Sequence, residues 1–265
     1  MQIKCTQCGA EISVQQDETF VECSFCASAL FLDKRKVVFH YVINSNFKPN
    51  EAEGNLKRWM AGNHTVKDLD MKAKIGKAEF SYFPVWYFKT KDSSGDKIYL
   101  QPAASTAISE IKKLQIPAGA LKFYEKNTYN EDEIVKPDVL YDSAQAWLKS
   151  TGVDLNIVSE AALVHIPFYK FYYDFNGMSY SALVEASSGS VYANIYPAKS
   201  EAPFRVLFAM GIAAFIVTSV ISLALGFVFE SGQEAFIIGE VIKVFAYGMV
   251  SIPLIIMAYV IAKKV

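Results

Sequence analysis

Polar and apolar residues are mixed along most of the chain, but beyond Pro203 the mixing stops. Val206–Phe229 runs 24 residues without a charge and Val244–Ala262 runs 19. Each is close to the roughly 20 residues a helix needs to cross about 30 Å of hydrocarbon. Only Glu230–Glu234 (ESGQE) separates the second apolar stretch, which begins near Ala235, from the first. The pattern predicts a two-helix transmembrane hairpin over 204–263. Glu240 and Lys243, three apart in the second helix, can pair along one face near the interface. Gly211, Gly226, Gly239 and Gly248 permit close helix packing and self-association into a homo-oligomer.

Residues 37–200 alternate between strand-like and helix-like periods. Lys36–Asn44 is β-rich, and Glu51–Ala61 reads as a helix with Asn50 as N-cap, Glu53 in the capping box and Gly62 past its end. Asp142–Ser150 is a second short helix, ending at Gly152. Each helix carries a tryptophan, Trp59 or Trp147, and is followed by an aromatic strand, a turn and another strand. In the first case these are Glu79–Thr90, Asp92–Gly95 and Lys97–Gln101. In the second they are Ala162–Phe175, Asn176-Gly177 and Ser179–Ala186, with Val191–Tyr196 as a third strand. Asn-Gly between two such runs is a strong hairpin signal. The expectation is a duplicated helix-plus-antiparallel-sheet domain at 35–200, with repeats about 37–101 and 138–197. Pro84 and Pro167 hold equivalent places and are expected at an edge or bulge. Between the copies, Thr106–Leu114 has helical character, Pro117–Gly119 is a turn, and Glu131–Glu133 is a solvated acidic loop.

The first 26 residues hold all four cysteines, Cys5, Cys8, Cys23 and Cys26, as two C-x2-C pairs fourteen residues apart. Each pair forms a knuckle that aims two thiolates at one point, and four soft thiolates suit tetrahedral Zn2+. Rubredoxin-like iron and a pair of redox dithiols or disulfides are the alternatives. No βαβ context surrounds either pair, as a redox motif would have, and Met1–Lys4 has no apolar core of an export signal. Gly9 is placed for positive φ. Ile12–Val14 and Thr19–Val21 are expected to pair across a turn at Gln15–Asp17, closing a zinc ribbon over 1–34. Four cysteine ligands leave no open position on the metal, so its role is structural.

Charge and composition narrow the function. The 265 residues carry a formal charge of −1 and are only 20% charged. Residues 1–36 also net −1, with one short basic run at Lys34-Arg35-Lys36, so nucleic acid is not expected as a partner. His40, His64 and His165 fall in separate segments, the first and last as structural histidines in aromatic strands. No phosphate-cradling, nucleophile-elbow, zincin or dinucleotide motif is present. A non-enzyme is expected, with no catalytic residues. The aromatic runs at Tyr82–Phe88 and Phe168–Phe175 put rings on both faces of a sheet, so one face needs a cover. Lys199, Arg205, Lys263 and Lys264 flank the outer ends of the hairpin, whereas its loop has acids and no base. The positive-inside rule then puts both termini in the cytoplasm.

Taken in order, CTQCG…CSFC, the tryptophan-bearing helices, FPVWYF, IPFYKFYY and the terminal hairpin resemble a group of prokaryotic zinc-ribbon membrane proteins. Some of that layout accompany phage-shock-type or flotillin-type (SPFH) membrane-stress proteins. The resemblance implies an α+β integral protein of the inner membrane, a protein-recruiting adaptor with zinc on Cys5, Cys8, Cys23 and Cys26. The alternative is a membrane-proximal module that binds lipid or another hydrophobic ligand through the aromatic strands.

Overall fold

A computed structural model describes residues 1–265 apart from 16, 17, 35, 93, 94, 107–110, 112, 117–119, 127, 201, 230 and 265. Its elements run β1 (Gln2–Lys4), β2 (Glu11–Ser13), β3 (Phe20–Glu22), β4 (Ala29–Asp33), β5 (Lys36–Ile43), α1 (Pro49–Met60), α2 (Leu69–Lys72), β6 (Lys74–Ile75), β7 (Glu79–Asp92), β8 (Gly95–Pro102), β9 (Leu121–Phe123), α3 (Tyr141–Ser150), β10 (Val158–Phe175), β11 (Met178–Glu185), β12 (Val191–Tyr192), α4 (Ala202–Phe229) and α5 (Gln233–Lys264). The fold is mixed α and β. Two compact units divide it: Met1–Met60 with Asp70–Tyr196, and Ala61–Leu69 with Pro197–Val265.

The first unit is organised by β10. Its N-terminal half lies between β5, which runs parallel to it through Ala162↔Phe39 to His165↔Val42, and β7, which runs antiparallel. Its C-terminal half pairs with β11 and, at Tyr173 and Asp174, with β6. Alternation sends Val85, Tyr87, Val164 and Ile166 into one apolar layer with Ile111 and Leu114. Trp86, Phe88 and Leu163 go to the other, where Tyr141, Ala144 and Leu148 of α3 cover them. Trp86 Nε1 donates to Val139 O at 2.8 Å, so the buried indole is satisfied.

The two long hairpins share one register. Val85↔Pro102 through Asp92↔Gly95 becomes Phe168↔Glu185 through Phe175↔Met178 when every number is raised by 83. Pro84 and Pro167 obey the same shift, and their place differs from the expected edge or bulge. Both lie within the β7·β10 ladder, paired with His165 and Tyr82. Each stands one residue beyond its own hairpin's ladder, its carbonyl accepting from Ala103 N (3.0 Å) or Ala186 N (2.8 Å). The missing proline donor therefore falls where that ladder ends, at no cost to the sheet. Asn176 and Gly177 have φ of 51° and 78°, as a two-residue type I′ turn requires. The expected turn residues Ser93 and Ser94, Pro117–Gly119 and most of the helical stretch from 107 lie outside the described residues.

Two expectations near the N-terminus are corrected. Ile12–Val14 and Thr19–Val21 do not pair. β2 pairs with β1 and β3 with β4, so each cysteine pair sits at the tip of its own hairpin. Helix α1 starts at Pro49, not after an Asn50 cap. Pro49 needs no donor in the first turn, and Glu51, not Glu53, closes the box by accepting from Lys48 N at 2.7 Å.

In the second unit α4 and α5 are long and apolar enough to cross a membrane. They run antiparallel in contact. Ser219 Oγ hydrogen-bonds Tyr247 OH, and Phe215 meets Tyr247 edge-on at 4.9 Å. The carboxylate of Glu240 accepts from Lys243 Nζ, as their spacing suggested.

Candidate metal centre

The two knuckles are built alike, eighteen positions apart. Cys5 N donates to Ala10 O (2.9 Å) and Gly9 N to Cys5 O (3.0 Å). Cys23 N donates to Ser28 O (3.0 Å) and Ala27 N to Cys23 O (2.8 Å). The residue after each second cysteine is left-handed, Gly9 with φ 75° as expected and Ala27 with φ 54°. An alanine held there stores roughly 1–2 kcal/mol of strain, which the closed knuckle must offset.

These turns bring all four Sγ atoms within 4.8 Å of one another, all as free thiols. Cys5 and Cys26 stand 3.7 Å apart, Cys8 and Cys23 3.8 Å. The edge of a tetrahedron whose centre lies about 2.3 Å from each sulfur is ~3.8 Å, so the donor set fits one tetrahedral metal ion. Cys5 and Cys23 are buried among Ile3, Ile12, Val14, Val21, Leu30 and Leu32, while Cys8 and Cys26 face solvent.

Among the described residues Ser28 supplies a side-chain hydroxyl that hydrogen-bonds the sulfurs, and its place in the sequence did not single it out. It is buried, with Oγ 2.9 Å from Cys26 Sγ and 3.6 Å from Cys5 Sγ. The only clue is positional: it follows Cys23 by the interval at which Ala10 follows Cys5. Burial pushes the Cys5 thiol up. Hydrogen bonds from the Cys8 and Gln7 amides and from Ser28 outweigh it and bring the thiol down to about 6. Ser28 also holds the Cys26 thiol low. Cys5 and Cys26 thus favour the thiolate, the form a metal binds, while burial and the three neighbouring sulfurs push the Cys8 thiol up to about 12.

The cysteine module does not stand apart from the large sheet. β4 pairs with β3 on one side and with β5 on the other, through Leu30↔Phe39 to Asp33↔Lys36. Leu30 and Leu32 face the module, and Phe31 faces the other way, 5.9 Å from Trp86. Asp33 Oδ2 accepts from Tyr141 N and caps α3, whose N-cap Leu140 has no side-chain bond of its own.

His40 and His165, 125 residues apart in sequence, meet. His40 Nε2 lies 3.0 Å from His165 Nδ1, and His165 Nε2 lies 3.3 Å from Val135 O. A consistent proton chain has His40 donating to His165 and His165 to the carbonyl, which leaves His40 Nδ1 buried without a partner. Tyr124 stacks on His40 at 4.3 Å. Burial pushes His165 down to about 4, and burial with the neighbouring imidazole puts His40 well below its usual value. Both are neutral in the folded chain, whereas the unfolded imidazoles protonate near 6.5. Their contribution to stability is therefore complete above pH 6.5 and is lost as pH falls toward 4, about 3 kcal/mol for His165 alone. Hydrogen-exchange protection at Ala162–Ile166, followed from pH 7 to 5 at matched intrinsic rates, will fall in the native chain. The fall will be shallower in His165→Gln; identical slopes would assign the loss to other groups.

The aromatic strands are core. Tyr82, Trp86, Tyr87, Phe88, Phe168, Tyr169, Phe171 and Tyr173 are all buried, and Tyr172 is the one left exposed beside Lys170. Trp59 meets Tyr196 edge-on at 5.0 Å, while Trp147 is 43% exposed. Compared with protein-family models, curated proteins and solved structures, the chain matches none.

Proposed function

We propose that the chain is a non-enzymatic, membrane-anchored adaptor that recruits a protein partner at the cytoplasmic face of a prokaryotic inner membrane, in SPFH or phage-shock-type assemblies. On this reading residues 1–34 are a zinc ribbon, 35–200 a duplicated α+β domain and 204–263 a transmembrane hairpin. The tetrahedral sulfur spacing supports the ribbon, the shared 83-residue register supports the duplication, and the length of α4 and α5 supports the anchor.

The observation that carries the recruiting role is Phe25. It sits between Cys23 and Cys26 with 72% of its surface exposed, on a loop that four thiolates on one metal would hold rigid. A large apolar side chain presented on a fixed turn is the usual anchor of a protein interface, because little entropy is lost on docking. The alternative, a hydrophobic-ligand module, would have to work chiefly through exposed Tyr172 and half-buried Phe80 and Phe175, since most of the other strand aromatics are occupied in the core. The test is co-purification from native membranes in mild detergent. A stoichiometric protein partner should be recovered with the native chain, reduced at least tenfold by Phe25→Ala and abolished by Cys5→Ser/Cys23→Ser. A partner retained undiminished by both variants would remove the ribbon as the docking surface.

A further inference from the structure

At one side of the large sheet β8 pairs with β7 and, among the described residues, with nothing else. The register fixes which of its backbone groups are left over. Ala103 N donates to Pro84 O at 3.0 Å, which makes those two a hydrogen-bonded pair. By alternation Val85↔Pro102, Tyr87↔Leu100 and Lys89↔Ile98 are then pairs that exchange no bond. The N–H and C=O groups of Ile98 and Leu100 therefore point away from β7. Neither residue makes another backbone hydrogen bond among the described residues.

The second hairpin shows what such an edge takes. Raised by 83, Leu100 becomes Leu183 and Gln101 becomes Val184. There β12 fills the edge, through Leu183↔Tyr192 and Val184↔Val191, and Glu185 N adds a bond to Ser190 O at 2.9 Å. The ring of Tyr192 lies edge-on to Phe168 at 6.3 Å. No described strand holds the corresponding place beside β8.

A groove lies there instead. A cavity of about 620 Å3 is lined by residues 98–101 of β8, by Leu114, and by Val153 and Ile157. Leu114 belongs to the same apolar layer as Leu100, whereas Val153 packs with the layer of Trp86 and Phe88 on the other face. Successive strand residues point to opposite faces, so a cavity that touches both layers and four successive β8 residues runs along the outer edge. A second cavity, of about 520 Å3, shares Gln101 and Thr151 with it and carries it past Pro102 to Trp147. Gln101 is buried, and its Oε1 has no hydrogen-bond partner, so the edge is incomplete in side chain as well as in backbone. From Ile98 to Pro102 the edge is roughly 14 Å long at about 3.4 Å per residue, room for about five extended residues. Walls on both faces leave space for one strand. The β8 edge of a second copy would bring its own walls with it.

We propose that the outer edge of β8 is a docking site for an extended segment of a partner protein. The segment adds as an antiparallel strand, with a bulky apolar residue opposite Leu100 in the place that Tyr192 holds opposite Leu183. Its main chain completes the bonds of Ile98 and Leu100, and its alternate side chains enter the two halves of the groove. The site is separate from the ribbon and does not depend on Phe25.

The test uses the full chain in mild detergent and a fluorescein-labelled, end-capped peptide, GSVYANI, the sequence of residues 189–195. The peptide should bind saturably. The same peptide N-methylated at every residue, which keeps the side chains and loses the donors, should not. Ile98→Pro removes one outward donor and no bond to β7, and should weaken binding about tenfold. Hydrogen exchange at the Ile98 and Leu100 amides, followed by NMR, should slow when the peptide is added. Phe25→Ala should leave these results unchanged, so a failure here and a failure of the ribbon as docking surface are read separately. Absence of saturable binding, or equal binding of the N-methylated peptide, would overturn the site. Binding undiminished by Ile98→Pro would place the peptide on another edge, with the same result. So would an Ile98 amide protected without peptide in a dimer that Ile98→Pro dissociates, because a second copy would then hold the edge.

Discussion

Metal chelation will unravel residues 2–28 and leave β4 in register with β5. The module is too small to hold itself. β1 and β2 pair through three residues, β3 and β4 through three more, and two-stranded hairpins of this size are marginal in water. Its apolar core is six aliphatic side chains and two of the cysteines. A structural zinc site contributes roughly 10–16 kcal/mol to such folds, more than everything else the module offers. β4 is held differently, by four pairs to β5, by Phe31 against Trp86 and by Asp33 on the α3 N-terminus. Hydrogen exchange on the full chain in detergent, before and after a chelator, should show protection lost at the Cys5, Gly9, Cys23 and Ala27 amides. Protection at β4 and β5 should survive. Cys5→Ser/Cys23→Ser should behave like the chelated chain. Loss spreading through β5 and β7 would mean that module and sheet fold as one cooperative body; survival of β1–β3 would mean that the metal adds little.

What the sequence could disclose follows from how local each signal is. Asn176-Gly177 and the long alternation around it specify a hairpin within twenty residues, and the strand pair was legible there. The cysteine spacing pointed to one four-thiol cluster without any knowledge of strand pairing, and the structure brings those four sulfurs together although the hairpins were assigned to the wrong partners. Strands of three residues, such as β1, β2 and β3, hold too little alternation to show a register.

Non-local features left no trace. The parallel pairing of β5 with β10 joins residues more than 120 positions apart, and it alone brings His40 to His165. Both imidazoles were recognisable as structural, but nothing in either flanking sequence says that one satisfies the other. Ser28 illustrates a middle case. Its hydroxyl is recognisable as a partner of the thiolates only after the two knuckles are superposed, since a serine in a loop is otherwise unremarked. At Glu51 the error was one of phase: Pro49 can open a helix as readily as Asn50 can cap one, and the choice moved the capping carboxylate by two positions.

Gly226→Ala will break the contact between α4 and α5 nearest their connecting loop. A Cβ at Gly226 would lie 2.3 Å from Ala235 O and 2.9–3.0 Å from the Gly239 backbone, so no rotamer change relieves it and one helix must move. The hydrogen that Cβ would replace points at that carbonyl, a weak Cα–H···O contact that the substitution also removes. In a bilayer there is no hydrophobic drive between helices, so association depends on this van der Waals fit and on the Ser219–Tyr247 hydrogen bond. Overpacking against backbone costs about 1–3 kcal/mol, and a larger side chain such as leucine more. Gly248→Ala is the matched control: nothing lies within 4 Å of its Cβ, and alanine is the better helix former by roughly 0.5–1 kcal/mol. In SDS-titrated unfolding of the full chain in mixed micelles, Gly226→Ala should unfold at lower SDS and lose exchange protection around Ala235–Gly239. Gly248→Ala should match or exceed the native chain. Equal midpoints for the two variants would show that the helices do not meet at Gly226.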